Sequence, residues 1–220
     1  MLSVIIPSKT DKNLGACVAA IRGAGETCRV IVADDFDGPT RFLLPEYEPV
    51  DWQMGIKPFI FSRNVNIGIN AGGRDDVVLL NDDALLRTDL GFTAMHRAAH
   101  DHPEFGIISS TTNLAGNLAQ QPRGEAGIRF EPGSVAFVCV LITRLALDTV
   151  GLLDERFTAY GWEDNDYCRR IRNAGMKVGI FDGCYVDHGS LRSTFRGDPR
   201  APGSIAAGAA IYRDKWGDNL

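Results

Sequence analysis

The sequence predicts a single compact α/β domain built on a mostly parallel sheet flanked by helices. Three observations carry this. Apolar runs of strand length alternate with segments of helical periodicity through the first half of the chain, the pattern of parallel strands joined by crossover helices. The 220 residues suffice for one such domain with a sizeable core. Three of the strand-like runs end in polar residues, at Pro7-Ser8, Asp34-Asp35 and Asp82-Asp83, and the carboxyl ends of strands are where such sheets bind ligands.

Residues 2–6 form an apolar run closed by Pro7, which reads as a strand and a turn. Leu14, Cys17, Val18 and Ile21 follow with the spacing of an amphipathic helix, with Asp11 or Asn13 to cap it and Gly23 or Gly25 to end it. "RVIVADD" is the second strand. "PFIFS" reads as a third and "VVLL" as a fourth, with "NVNIGINAGGR" between them as a loop entering a short helix. The second half is less regular. Residues 92–100 have helical character and "FGIISS" that of a strand. Residues 111–133 are rich in Gly, Pro, Asn and Gln, and a loop of that length marks a functional or mobile segment. "SVAFVCVLI" is a strongly apolar strand, followed by a short helix over residues 144–150 that Gly151 closes. "WEDNDYCRRIRNAG" is helical, with Tyr167, Cys168, Ile171 and Ala174 on one face and Gly175 as the stop. "KVGIFD" and "CYVDHG" are two further strands. Arg192, Arg196 and Arg200 then lie among Gly, Pro and Ser, and "IAAGAAIYRDKW" is a weak closing helix.

The bulk properties narrow the function. No apolar run approaches the roughly 20 residues that span a bilayer. The start lacks a basic segment and reaches a proline after six residues, so it reads as a first strand rather than a signal peptide. A net charge of −5 gives no global attraction to nucleic acid or an anionic membrane. The five cysteines show no C-x-x-C spacing and are expected to be reduced and mostly buried. Together these features predict a soluble, cytoplasmic protein.

Two acidic pairs bear on chemistry. Asp82 and Asp83 end an apolar strand, where a carboxylate is costly unless something pairs with it. They read either as turn and cap residues or as ligands of a hard divalent cation shared with substrate phosphates. Glu163 and Asp164 read either as first-turn acids favoured by the helix dipole, a reading Asp166 extends, or as a general base beside the flexible Gly161. His188 is either a polar strand end or a metal ligand. No Ser-His-Asp or cysteine-protease spacing is present, and no phosphate-binding P-loop.

In order, "SVIIPS", "VIVADDFDG", "NVNIGINAGG", "VVLLNDDALL", "VGLLDERFTAYGWEDNDYCRRIRNAG" and "YVDHGS" resemble the inverting family 2 glycosyltransferases of the GT-A fold, over residues 3–190 or so. The resemblance implies a Rossmann-like, mostly parallel sheet in one domain. Residues 1–86 would form its nucleotide-binding half. Residues 87–220 would form its acceptor half, with a lid over about 189–204. It implies a sugar moved with inversion from a nucleotide-diphosphate donor, by default UDP-glucose, to an acceptor hydroxyl, with Mn2+ or Mg2+ as cofactor. Pro7 and Ser8 would line the nucleotide pocket, and Asp35 or its neighbour Asp34 would bind base or ribose. Asn66, Gly68 and Ala71 would pack against the nucleotide. Asp83 would close an Asp-x-Asp-type metal motif with Asp82 in its middle, and His188 would complete the metal shell. Asp164 would be the base and Glu163 would orient the acceptor. Arg192 and Arg196 would fold over the diphosphate, or else form a solvated tail.

The chain departs from the family pattern at "PSKT", which leaves Lys9 without a role, and at Asn81, which stands where a first Asp is usual. It also stops soon after Trp216, without the membrane helices or added domains of polysaccharide synthases. The acceptor could be a saccharide, a protein hydroxyl or a hydroxymethylated nucleic-acid base. A sugar-nucleotide nucleotidyltransferase and a non-catalytic nucleotide-sugar-binding protein are the rival readings.

Overall fold

The structure is a computed structural model that describes residues 1–35, 50–157, 160–191, 193 and 198–217. Along the chain lie β1 (Leu2–Ser8), α1 (Leu14–Gly23), β2 (Arg29–Asp34), β3 (Val50–Met54), α2 (Phe61–Gly72), β4 (Asp76–Leu80), β5 (Leu85–Leu86) and α3 (Gly91–Asp101). Then come β6 (Phe105–Thr112), β7 (Ile128–Phe130), β8 (Cys139–Ile142), α4 (Arg144–Val150), α5 (Glu163–Asn173), β9 (Lys177–Asp187) and α6 (Ala201–Trp216). The strands form one sheet in the order β3-β2-β1-β4-β8-β6-β9-β5, with β7 added to β9.

The sheet is mixed. β1 pairs parallel to β2 and to β4, as the strand–helix alternation predicts, and β2 pairs parallel to β3. β6 and β9 are also parallel. β8 inserts antiparallel between β4 and β6, and β5 and β7 run antiparallel to β9. The reason is the connection. α3 carries the chain from β4 across to β6 in the same direction. The segment from β6 to β8 has no crossover helix, so the chain returns reversed.

Side chains alternate across each strand and build two cores. Val4 and Ile6 of β1 pack with Leu14, Val18 and Ile21 of α1 and Phe92 and Met95 of α3. Ile5 faces the other way, onto Val65 and Ile69 of α2, in a core that continues to Leu147 of α4 and Tyr167 and Ile171 of α5. The result is a three-layer α/β/α domain. No described helix is long and apolar enough to cross a membrane.

Some expected elements differ. "PFIFS" is not a strand: its last two residues open α2, which runs to Gly72 through most of the stretch read as loop and short helix. Phe61, Val65 and Ile69 recur every four residues, but the intervening Asn and Gly residues hide that period. The third strand is instead the polar edge strand "VDWQM". Only Cys139–Ile142 of "SVAFVCVLI" pairs in the sheet, and "KVGIFD" and "CYVDHG" are one continuous strand. The long loop after β6 is held in place. The buried Gln120 side chain donates to Ser109 Oγ (2.7 Å) and to the Ala136 carbonyl (3.0 Å) and accepts the Ala136 N–H (2.8 Å).

A Cβ at Gly68 would overlap the fully buried Ile5 side chain where α2 crosses β1. Gly68→Ala is therefore expected to destabilise the protein by about 1–3 kcal/mol through overpacking, although alanine favours helix. Thermal unfolding checks this, and an unchanged or raised Tm would show that α2 can shift away from β1.

Candidate functional site

The strand order creates the site. From β1 the chain steps to β2 and β3 on one side, then returns through α2 to β4 on the other side of β1. A crevice opens at such a switch point, beyond the carboxyl ends of the two diverging strands. Ser8 ends β1 and Asp82 follows β4, and Ser8 Oγ donates to Asp82 Oδ2 at 3.3 Å. Pro7 pairs with Ala33 and Ser8 with Asp34, so the end of β2 borders the same crevice. The Asp35 N–H donates to the Ser8 carbonyl at 3.3 Å. Asp34, Asp35, Asp82 and Asp83 are all buried. Burial pushes the Asp35 carboxyl up, partly offset by Lys57. Burial and the neighbouring Asp83 charge push Asp82 up to about 7. The crevice thus gathers four buried carboxylates at the carboxyl edge of the sheet.

His188 reaches this crevice through strand pairing. The two-residue β5 pairs with β9 in the register Leu85↔Asp187 and Leu86↔Val186, which sets residues just before β5 beside residues just after β9. His188 Nε2 lies 3.1 Å from Asp83 Oδ1. His188 Nδ1 donates to the Leu114 carbonyl at 2.7 Å, and the His188 N–H donates to Asn113 Oδ1 at 2.8 Å. A carbonyl can only accept, so Nδ1 carries a proton. In the neutral imidazole Nε2 is then a lone pair facing a carboxylate oxygen, an arrangement that calls for a proton or a metal ion between them. Ligands at adjacent corners of an octahedron around a Mg2+-sized ion are about 3 Å apart, so the spacing fits a shared cation. The pair could supply two ligands to such an ion. Asn113 and Leu114 are the outer partners that orient the ring. Nothing in the sequence singled them out, because they belong to a long polar loop.

The three residues singled out on α2 each meet a neighbouring element. The buried Asn66 amide donates to the Leu153 carbonyl and to Glu155 Oε1, both at 2.9 Å, and accepts the Leu153 N–H at 3.0 Å. Gly68 admits β1, and the Ala71 carbonyl accepts from Arg29 Nη1 at 2.9 Å.

Glu163 and Asp164 open α5, after Gly161 and Trp162 in left-handed conformations (φ 94° and 74°). Asp164 Oδ1 accepts the Asn165 N–H at 2.8 Å, and the Phe137 N–H also holds this carboxylate. The next residue, Val138, accepts the Asn81 N–H at 2.9 Å, so residues 137–138 link the α5 start to the end of β4. Glu163 Oε2 is buried with no hydrogen-bond partner among the described residues. Burial raises both carboxyls, and Asp164's charge raises Glu163 further.

Asp166 does not act as a solvated first-turn acid. It is fully buried, and Trp216 Nε1 (2.9 Å), Lys215 Nζ (2.8 Å) and Arg170 Nε (2.9 Å) converge on it. These contacts anchor α6 to α5, helped by the Trp162 and Tyr212 rings, 5.2 Å apart. Lys9 gains a role as well: its Nζ lies 2.7 Å from Asp198 Oδ2, a buried carboxylate that Arg200 also binds. The segment entering α6 is thereby tied to the loop that follows β1. Arg192 and Arg196 lie outside the described residues.

No protein-family model matches the chain, and no curated protein matches it in sequence. Among solved structures, the whole chain matches the crystal structure of GalNAc-T7 with UDP, GalNAc and Mn2+, with a TM-score of 0.77 and 11% identity. The chain spans 48% of that protein's chain. The likeness shows the fold: an α/β domain of the GT-A type, matched over the whole chain.

Proposed function

We propose that this chain is a metal-dependent glycosyltransferase of the inverting family 2 type. It moves a sugar from a UDP-sugar, with UDP-glucose as first choice, to an acceptor hydroxyl. The observation that carries this is the Asp83–His188 pair at the switch-point crevice, within a fold shared with a protein whose structure holds UDP and Mn2+. Asp83 and His188 would hold Mn2+ or Mg2+. When bound, the ion would offset negative charge on the diphosphate. Pro7, Ser8, Asp34, Asp35 and Asp82 form the nucleotide wall, with Asp35 or Asp34 accepting from base or ribose. Asn66, Gly68 and Ala71 belong to the segment that packs against nucleotide and ribose. Arg192 and Arg196 are assigned to the diphosphate as part of a lid over about residues 189–204. This assignment makes residues 1–86 the nucleotide half and 87–220 the acceptor half.

The reaction is one in-line displacement. The acceptor oxygen bonds to the anomeric carbon as its bond to the diphosphate breaks, so configuration inverts. Glu163 holds the proton that the acidic pair retains, which leaves Asp164 ionised to take the acceptor's proton. The acceptor is a saccharide, a protein hydroxyl or a hydroxymethylated nucleic-acid base, met in the cytoplasm.

A donor panel tests this, read by released nucleoside diphosphate with and without manganese and by the anomeric configuration of the product. Manganese-dependent release of UDP with an inverted product is expected. Pyrophosphate released from a nucleoside triphosphate would instead identify a nucleotidyltransferase, and donor binding without release a binding protein.

A further inference from the structure

A second cluster of metal-type ligands lies at the opposite end of β4. Asp76 opens that strand and Leu80 closes it, about 13 Å away at a rise of about 3.3 Å per residue. His96 and His100 stand four residues apart on α3 and so share one face. His96 Nε2 is 2.7 Å from Asp76 Oδ2 and 3.1 Å from His100 Nε2, and His100 Nε2 is 3.4 Å from Asp76 Oδ2. Among the described residues, this is the one group of three His, Cys, Asp or Glu side chains whose ligand atoms all lie within 4.8 Å of one another.

As the three atoms are placed, hydrogen bonding within the triangle is crowded in each arrangement. If both rings donate from Nε2 to Asp76, two N–H groups face each other. If one Nε2 is bare so as to accept from the other ring, its lone pair faces the carboxylate. A metal ion resolves the conflict, because all three atoms then offer lone pairs to it. Tetrahedral ligands around zinc at about 2.0–2.1 Å lie about 3.3 Å apart. The observed edges are those of three such corners, drawn tight on one side. Asp76 is oriented from behind, since its Oδ1 accepts the Arg144 N–H at 2.5 Å. The Asp76 and His96 side chains are 14% and 23% exposed and His100 is 66% exposed, so the fourth corner faces solvent. His96 also borders a depression of about 990 Å³ at this edge of the sheet, which gives an ion a route in.

We propose that Asp76, His96 and His100 form a second divalent-metal site, separate from the crevice, whose ion pins α3 to the amino end of β4. Two imidazoles and one carboxylate select zinc-class ions, whereas the oxygen-rich crevice suits manganese or magnesium. This site stands whether or not the chain transfers sugar.

Zinc calorimetry and cobalt absorption on the metal-stripped full chain test it. One zinc equivalent is expected to bind wild type and Asp83→Ala alike, to give a tetrahedral cobalt spectrum, and to raise the Tm of both. His100→Gln, at an exposed position that leaves the fold intact, should weaken zinc binding by more than the about 10–100-fold that outer-shell changes cost, and should abolish the Tm rise. His96→Gln should do the same. Unchanged zinc affinity in His100→Gln would overturn the proposal. So would loss of zinc binding in Asp83→Ala with retention in both histidine variants, since the ion would then occupy the crevice.

Discussion

Asp164→Asn is expected to lower the single-turnover transfer rate by about 10²–10⁴, the usual worth of a positioned base, while donor and metal binding persist. The amide keeps the shape of the carboxylate and still accepts the Asn165 N–H, but it cannot carry off a proton. Glu163→Gln should act differently. Both carboxyls are raised in the folded protein, so between the ordinary carboxylate range and their folded values the native state holds protons that the unfolded state has released. Their contribution to stability therefore falls as pH rises through that window. Glu163→Gln removes the larger share of this cost and should melt higher than wild type near about pH 8, with little gain near about pH 5, where Glu163 is already protonated in the folded state. Its transfer rate should drop less than that of Asp164→Asn. If both acids served only the helix dipole, each variant would instead lose about 0.3–1 kcal/mol of stability with turnover nearly intact. Transfer rates and melts on the same two proteins separate these outcomes, and normal turnover in Asp164→Asn would move the base elsewhere.

Asp83→Ala should abolish the metal dependence of donor binding. In the proposed site Asp83 is one of two protein ligands, and His188 alone is a weak site for a hard cation. Affinity for UDP should become the same with manganese as with a chelator. The fold should survive, because Asp83 sits in the turn after β4 and removing it relieves charge repulsion on Asp82. Asn113→Ala gives a graded control. It leaves both ligands in place but frees His188 from one of its supports, so metal affinity should fall by about 10–100-fold without being lost. Calorimetry with UDP across a manganese series measures both. Full manganese dependence in Asp83→Ala would return Asp82 and Asp83 to the role of turn residues.

Much of the fold was legible in the sequence because it is locally encoded. The continuous apolar runs of β1, β2 and β4 and the helical spacing of Leu14, Cys17, Val18 and Ile21 each fall within a few residues, and the structure forms those elements. The carboxyl-end positions of Ser8, Asp34, Asp35, Asp82 and Asp83 followed from those strands. α2 was missed because Gly68, which β1 requires for close approach, also breaks the apolar signal that would have marked a helix.

The sequence by itself determined the strand ends, their acidic character and the acids that open α5. Only the tertiary structure decided which distant groups meet. His188 faces Asp83 because β5 and β9 pair in one register, and a slip of one residue would turn His188 away. Asp166 is an anchor rather than a surface acid because α6 folds back and brings Trp216 and Lys215 onto it. Lys9 finds Asp198 across 189 residues of chain. Local periodicity sets each element through backbone geometry and burial, within one or two turns of chain. The meeting of groups so far apart depends on how the whole set of apolar faces packs, and no short stretch of sequence carries that.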